Sequence, residues 1–220
     1  MAGPETDGPA RDEPADGTRP RRVEDTTSPE YAQRLEELEG ARWKRLLDVQ
    51  APYRWNLRRL LGTRRTLDVG CGIGRNLRHL APGSVGVDHN PSSVDFCRAR
   101  GLEAYLPDEL ESRTSADQQG FDGVLVAHVL EHLEPGSQES FLRHYLRFAA
   151  RGARVVVICP QERGFASDAS HTDFVDGDRI VATCRALGLR VTGSRSFPLP
   201  RAAGRLFTYN EFVVTATVPG

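Results

Sequence analysis

From residue 66 onward, short apolar runs alternate with stretches of helical periodicity. TLDV (66–69), SVGVD (84–88), EAYL (103–106), GVLVA (123–127) and ARVVVIC (153–159) each read as a strand. The spacing predicts helices over Arg75–Leu80, from an Asn90-Pro91 cap to Arg100, over 137–150, and over 177–187 behind Asp176. Phe141, Leu142, Tyr145, Leu146 and Ala149 share one face of the third; Ile180, Val181, Cys184 and Leu187 share one face of the fourth. Two more strands, about 190–197 and 207–217, end the chain. Residues 107–120 are polar and weakly patterned, and predict no element. Strands that are apolar throughout, separated by helices, point to a parallel sheet covered on both faces. The ligand crevice of such a sheet lies beyond the carboxyl ends of its strands.

Upstream the pattern differs. Residues 1–28 are rich in Pro, Gly and charge and nearly free of large apolar side chains, so a disordered tail is expected. Ser28-Pro29 then opens a helical stretch with Leu35, Leu38, Leu46 and Leu47 in register. A second helix, about 51–61, carries Tyr53, Trp55, Leu57, Leu60 and Leu61. The expected division is a tail (1–28), N-terminal helices able to act as a lid (29–62), a cofactor-binding core (63–160) and a substrate-side segment completing the sheet (161–220).

Charge narrows the partners. With 29 basic against 30 acidic residues, no global field draws in nucleic acid or anionic lipid. Cys71, Cys97, Cys159 and Cys184 form no Cys-x-x-Cys pair and are expected as buried free thiols. No stretch approaches the roughly 18 apolar residues of a membrane span, and no signal peptide opens the chain, so a cytoplasmic protein is expected.

The most informative turn is Asp68-Val69-Gly70-Cys71-Gly72-Ile73-Gly74, after the first strand. Glycines there let the backbone turn sharply and approach a ligand. Asp88 ends the second strand, where a carboxylate can accept two hydrogen bonds from a ribose diol. A dinucleotide fingerprint requires its third glycine at position 75, but that residue is Arg75. Asp68 is also ill placed beside a pyrophosphate. A sulfonium cofactor carries positive charge and tolerates it.

LDVGCGIGRNL, GVDHN, FDGVLVAHVLEHL and RVVVICP, in that order, resemble the successive motifs of class I S-adenosylmethionine-dependent methyltransferases, nearest the ubiquinone-pathway O-methyltransferase branch. The resemblance implies a Rossmann-like, doubly wound α/β sheet of seven strands, order 3-2-1-4-5-7-6, the last antiparallel. It implies S-adenosylmethionine as cofactor, with Asp68, Gly70, Cys71, Gly72 and Gly74 along its methionine part. Asp88 and His89 fall at the ribose, Tyr105 and Leu106 at the adenine, and Ala127 and His128 near the amino-acid end or the transferred methyl.

AHVLEHL (127–133) places His128, Glu131 and His132 at i, i+3 and i+4 after the fourth strand. Some relatives bind a divalent metal there through Glu-x-x-Glu-His; here a histidine replaces the first glutamate. His171, after the fifth strand, offers a fourth ligand. Three readings stay open: a metal on His128, Glu131, His132 and His171; direct catalysis by His132, His171 and Glu131; or a structural brace. Arg195, Arg201 and Arg205 form either an anion site or a solvated loop. The expected activity is O-methylation of a small-molecule hydroxyl. A metal-dependent RNA 2′-O-methyltransferase and a non-catalytic cofactor-binding regulator are the alternatives. Oligomeric state is not readable.

Overall fold

In the computed structural model, which describes residues 50–113 and 120–220, the apolar runs become one seven-stranded sheet. Its strands are β1 Thr66–Val69, β2 Val85–Val87, β3 Ala104–Tyr105, β4 Phe121–Ala127, β5 Ala149–Pro160, β6 Arg190–Phe197 and β7 Glu211–Thr217. Their order is β3-β2-β1-β4-β5-β7-β6, as the family resemblance implied. β1 pairs in parallel with β2 and β4, and β4 with β5; β7 runs antiparallel to β5 and β6. The chain winds outward from β1 to β3, then restarts at β4 on the other side. The β1–β4 seam is therefore the switch point where a crevice opens.

The helices are α1 Ala51–Leu61, α2 Pro91–Ala99, α3 Pro107–Arg113, α4 Gln138–Leu146, α5 Glu162–Phe165 and α6 Gly177–Ala186. Alternate residues of each central strand feed opposite faces. Leu67, Val69, Val124, Val126, Val155 and Val157 join one apolar cluster with Leu142 of α4 and Ile180 and Cys184 of α6. Leu125, Ala127, Val156 and Ile158 pack with Leu57, Leu60 and Leu61 of α1 on the other. With both faces covered, unbroken apolar runs are the physical requirement. All four cysteines are free and buried. Among the described residues, no helix is long and apolar enough to cross a membrane.

The expected caps form. Asn90 Oδ1 accepts from the amides of Ser92 and Ser93, and the Asp176 side chain accepts from Arg179 N. Three expectations need correction. The helix expected over Arg75–Leu80 is only a 3-10 turn, Leu77–His79. Gly74 sits at φ +79° on one side, and Pro82 forces the residue before it out of the helical region on the other. Too few residues lie between them to propagate a helix. The stretch taken as structureless begins with α3, because Pro107 follows Leu106 and Glu109 Oε2 accepts the Leu106 amide at 2.8 Å, as in a capping box. The helix expected to reach 150 stops at Leu146, since Ala149 is already paired with Phe121 at the start of β5. The expected tail and the stretch with Leu35, Leu38, Leu46 and Leu47 lie outside the described residues.

A buried polar knot fixes the connection between β6 and β7. Asn210 Nδ2 donates to Gln161 Oε1 at 3.0 Å and Ser196 Oγ at 2.9 Å, and its Oδ1 accepts the Leu199 amide at 2.9 Å. Gln161 Nε2 donates to the Glu211 carbonyl at 3.0 Å. Both amides are wholly buried. Replacing Asn210 with Ala strands several of these groups, and urea unfolding is expected to show a loss of about 3 kcal/mol.

Candidate active site

The turn after β1 is held by close contacts that leave no room for a side chain at Gly70 or Gly74. Gly70 has φ +70°, and a Cβ there would meet Val129 Cγ2 at 2.4 Å. At Gly74 a Cβ would meet Leu102 Cδ1 at 2.5 Å. Beneath the turn, the thiols of Cys71 and Cys97 both reach the Gly72 carbonyl, at 3.6 and 3.3 Å. Cys71 therefore faces inward, and its hydrogen bond with Cys97, then burial, lifts its pKa well above the usual thiol range.

Two carboxylates flank the turn. Asp88 Oδ2 accepts the Gly72 amide at 2.8 Å and its Oδ1 accepts the Asn90 amide at 2.9 Å. The end of β2 is thus tied to the glycine turn, with His89 beside it at 3.6 Å. Asp68 is 1% exposed, and its Oδ2 has no hydrogen-bond partner. Burial first, then the charge of Asp88, pushes its pKa up to about 8, against the pull of the Leu77 amide. A buried carboxylate with an unused oxygen, beside a second carboxylate, suits a cationic ligand and repels a pyrophosphate.

At the end of β4 the chain bends abruptly. His128 has φ +59°, a conformation rare for a side chain of this size. The bend seats its ring between two carboxylates: Nδ1 lies 3.2 Å from Glu131 Oε1, and Nε2 lies 2.9 Å from Glu211 Oε1. Burial alone would lower its pKa, but the two carboxylates override that and hold it at about 10. Glu131 is wholly buried; burial raises its pKa, yet the His128 cation pulls the net value below the usual carboxylate range. Glu131 Oε1 is thus ion-paired with the His128 ring.

His132 and His171 meet beside Glu131, with ring centroids 4.8 Å apart. His132 Nδ1 lies 3.2 Å from both the Ser170 carbonyl and Ser170 Oγ. That hydroxyl spends its proton on Asp168 Oδ1 at 2.7 Å. Nδ1 is therefore the donor, which leaves the Nε2 lone pair of His132 free. His171 Nδ1 faces the Phe165 carbonyl at 2.8 Å, which assigns the same tautomer. Burial, foremost, pushes the His132 pKa down and keeps the ring neutral.

The comparisons with known proteins agree with this geometry. Residues 67–155 match the family model described as a methyltransferase domain. Residues 67–155 are thus similar to methyltransferase domains, and the sheet around them has the fold of S-adenosylmethionine-dependent methyltransferases of class I. Over 109 residues, 43% of its length, it is 36% identical to ajmaline N-methyltransferase of Rauvolfia serpentina and covers 35% of that protein. It is 28% identical over 113 residues to norajmaline N-methyltransferase of the same species, covering 47% of this chain and 38% of the relative. The chain thus spans little more than a third of the length of these curated relatives. A methyltransferase structure from Archaeoglobus fulgidus aligns with TM-score 0.59 at 22% identity, over 75% of this chain and 92% of that one. The N-methyltransferase NodS from Bradyrhizobium japonicum WM9 aligns with TM-score 0.56 at 18% identity, over 76% and 95%. These structural likenesses establish the shared fold.

Within the methyltransferase domain, several expected site residues converge. Asp68, Gly70, Gly72, Gly74, Asp88, Ala127 and His128 gather at the carboxyl ends of β1, β2 and β4. The crevice beside them is lined by Tyr53, Asn56, Asn76, Ala127, His128 and Glu211. Tyr105 closes β3 beside them, its carbonyl accepting the Asp88 amide at 3.1 Å, but its side chain leads elsewhere. Its phenol bonds Glu103 and Arg113, and it lines a separate hollow of about 240 Å³ with Arg65 and Phe121, at the amino ends of the strands. That hollow is larger, but it lies at the wrong end of a parallel sheet for the chemistry. Leu106 packs with Val94, Cys97 and Ala104.

The four-ligand set expected from AHVLEHL also breaks up. Glu131, His132 and His171 stay together, while His128 is turned into its own ion-pair cradle. The residues are not one helical face, because only Leu130–His132 forms a short 3-10 turn. The proposed arginine cluster is divided: Arg195 bonds Asn56, and Arg201 pairs with Glu162. Trp55 of α1 is 57% exposed. Glu211 was not anticipated. Its one sequence signal is an isolated acid opening the apolar run EFVVTATV.

Proposed function

We propose that this protein transfers a methyl group from S-adenosylmethionine to a small molecule, at a hydroxyl oxygen. Residues 63–160 hold the cofactor, and 161–220 together with α1 form the acceptor side. The cofactor supplies an electrophilic methyl on a sulfonium. The chain must then align an acceptor and take its proton, since an alcohol is a weak nucleophile at neutral pH. The observation that carries the oxygen reading is the buried Glu131 carboxylate, kept ionised by His128, beside two imidazoles whose Nε2 atoms are lone-pair acceptors. An amine acceptor would need less help. The names of the curated relatives favour nitrogen as a second reading. Near-neutral charge favours a small molecule over RNA. Four buried free thiols suit a reducing compartment, which we take as the cytoplasm.

The test is release of S-adenosylhomocysteine across a panel of phenols, alcohols and amines, with products assigned by NMR. O-methyl products formed one-to-one with S-adenosylhomocysteine are expected. Products methylated only at nitrogen overturn the oxygen assignment. No release with any acceptor, despite cofactor binding, favours a non-catalytic regulator.

A further inference from the structure

We propose that Glu211 sets acceptor specificity by holding a protonated amine on the acceptor, apart from the hydroxyl that receives the methyl. That role rests on the reading of this crevice as a small-molecule methyl-transfer site. Glu211 opens β7 at the carboxyl end of the sheet, opposite Pro160 of β5. It lines the crevice with Tyr53, Asn56, Asn76, Ala127 and His128. Glu131, His132 and His171 are not part of that lining. Glu211 is therefore the carboxylate that an entering acceptor meets.

Desolvation decides what that acceptor must carry. Glu211 is 8% exposed. Its Oε1 meets His128 Nε2 at 2.9 Å, and no described residue donates to Oε2. A carboxylate offers about four lone-pair sites, of which His128 fills one. An acceptor that fills the crevice shuts solvent off from the rest. Without a donor of its own it leaves a buried charge unsatisfied, at greater cost than a neutral group. An ammonium meets both needs, because it supplies N–H donors and balances the charge. A neutral hydroxyl meets only the first, and an anion meets neither.

The surroundings of Glu211 select a cation. Glu131 and Glu211 bracket a single imidazolium, His128, at 3.2 and 2.9 Å, which leaves one negative charge in excess. Tyr53 engages its hydroxyl with the Tyr209 carbonyl at 2.5 Å, so its ring is what it offers a ligand. An aromatic face beside a carboxylate suits an ammonium. Arg195 reaches Asn56 Oδ1 at 2.6 Å, but it is exposed on an edge strand, where solvent screens it. That bond also leaves Asn56, 2% exposed, with Nδ2 donating to no described residue. A buried donor of this kind needs an acceptor atom, which the oxygen of a hydroxyl supplies. The crevice thus pairs a site for an ammonium with a site for a hydroxyl. The amine held by Glu211 keeps its proton and has no lone pair for the methyl, so it is a handle and not the nucleophile.

The experiment uses the full chain saturated with S-adenosylhomocysteine, so that calorimetry reads acceptor binding without turnover. Two matched pairs serve as probes: tyramine against para-ethylphenol, and aminopentanol against pentanol. The members of each pair differ by one ammonium. At least one amine is expected to bind about 30-fold tighter than its partner, and Glu211→Gln to cut that advantage below about threefold. Thermal unfolding checks that the variant is folded. If it is not, Glu211→Asp, whose shorter side chain should shrink the advantage, takes its place. Amines and partners bound alike by the native chain, or bound by neither, overturn the proposal. An amine preference that the folded variant keeps overturns it as well, as does transfer of the methyl to the amine nitrogen. Weakened S-adenosylhomocysteine binding in the variant, with amine and partner still separated, assigns the carboxylate to the cofactor instead. An amine preference lost in Glu211→Gln, without S-adenosylhomocysteine release when S-adenosylmethionine is supplied, keeps this role and overturns only the methyl-transfer reading. Release with neutral acceptors that bind as well as amines does the reverse.

Discussion

Affinity for S-adenosylmethionine is expected to rise about tenfold per pH unit between roughly pH 6 and 8, then level off. Asp68 is the cause. Its pKa stands at about 8 in the free protein, so at pH 7 most molecules carry it protonated. The cofactor brings a sulfonium and an ammonium, and these favour the ionised carboxylate. Binding at neutral pH must then release a proton, which makes it tighter as protons become scarcer. The same shift affects folding with the opposite sign. Because the folded chain holds the Asp68 proton more tightly than the unfolded chain does, its contribution to stability is complete below the unfolded pKa. That contribution is lost as pH rises toward about 8. Calorimetry in two buffers of different ionisation heat will count the released proton. Asp68→Asn should flatten the affinity profile; a profile equally steep in that variant would place the titrating group elsewhere.

Asp88→Ala should weaken cofactor binding about 100-fold. The carboxylate already accepts the Gly72 and Asn90 amides, yet two oxygens offer about four acceptor sites, enough for a ribose diol as well. A hydrogen bond to a charged group contributes about 1.5–3 kcal/mol, and two of them shared with competing donors come to about 3 kcal/mol, or two decades in Kd. The alanine also frees the Gly72 amide and loosens the turn. Titration with S-adenosylhomocysteine measures the loss directly. A change under threefold would show that the diol is held elsewhere.

The glycine turn, the two aspartates and the apolar strands were legible because each depends on local chemistry. A turn that must pass close to Val129 needs glycine at position 70, and a strand buried on both faces must be apolar throughout. The failures have equally local causes. The helix after Gly74 was too short to propagate, and α3 was hidden by polar residues whose role is capping. Which way the Tyr105 side chain faces was not legible, because a two-residue strand gives little pattern from which to tell its faces.

The sequence by itself determined the sheet, its order through the family motifs, and the end of the sheet where the cofactor belongs. It also supplied every member of the histidine cluster. Only the tertiary structure decided how that cluster divides. AHVLEHL suggested one ligand face, but at His128 the backbone is left-handed, and the ring lies between Glu131 and Glu211, the latter 83 residues on. Glu131 stays buried between that ring and the His132–His171 pair. Spacing along a chain encodes proximity only where the backbone is regular; here one residue at positive φ and one distant carboxylate redistribute the charges.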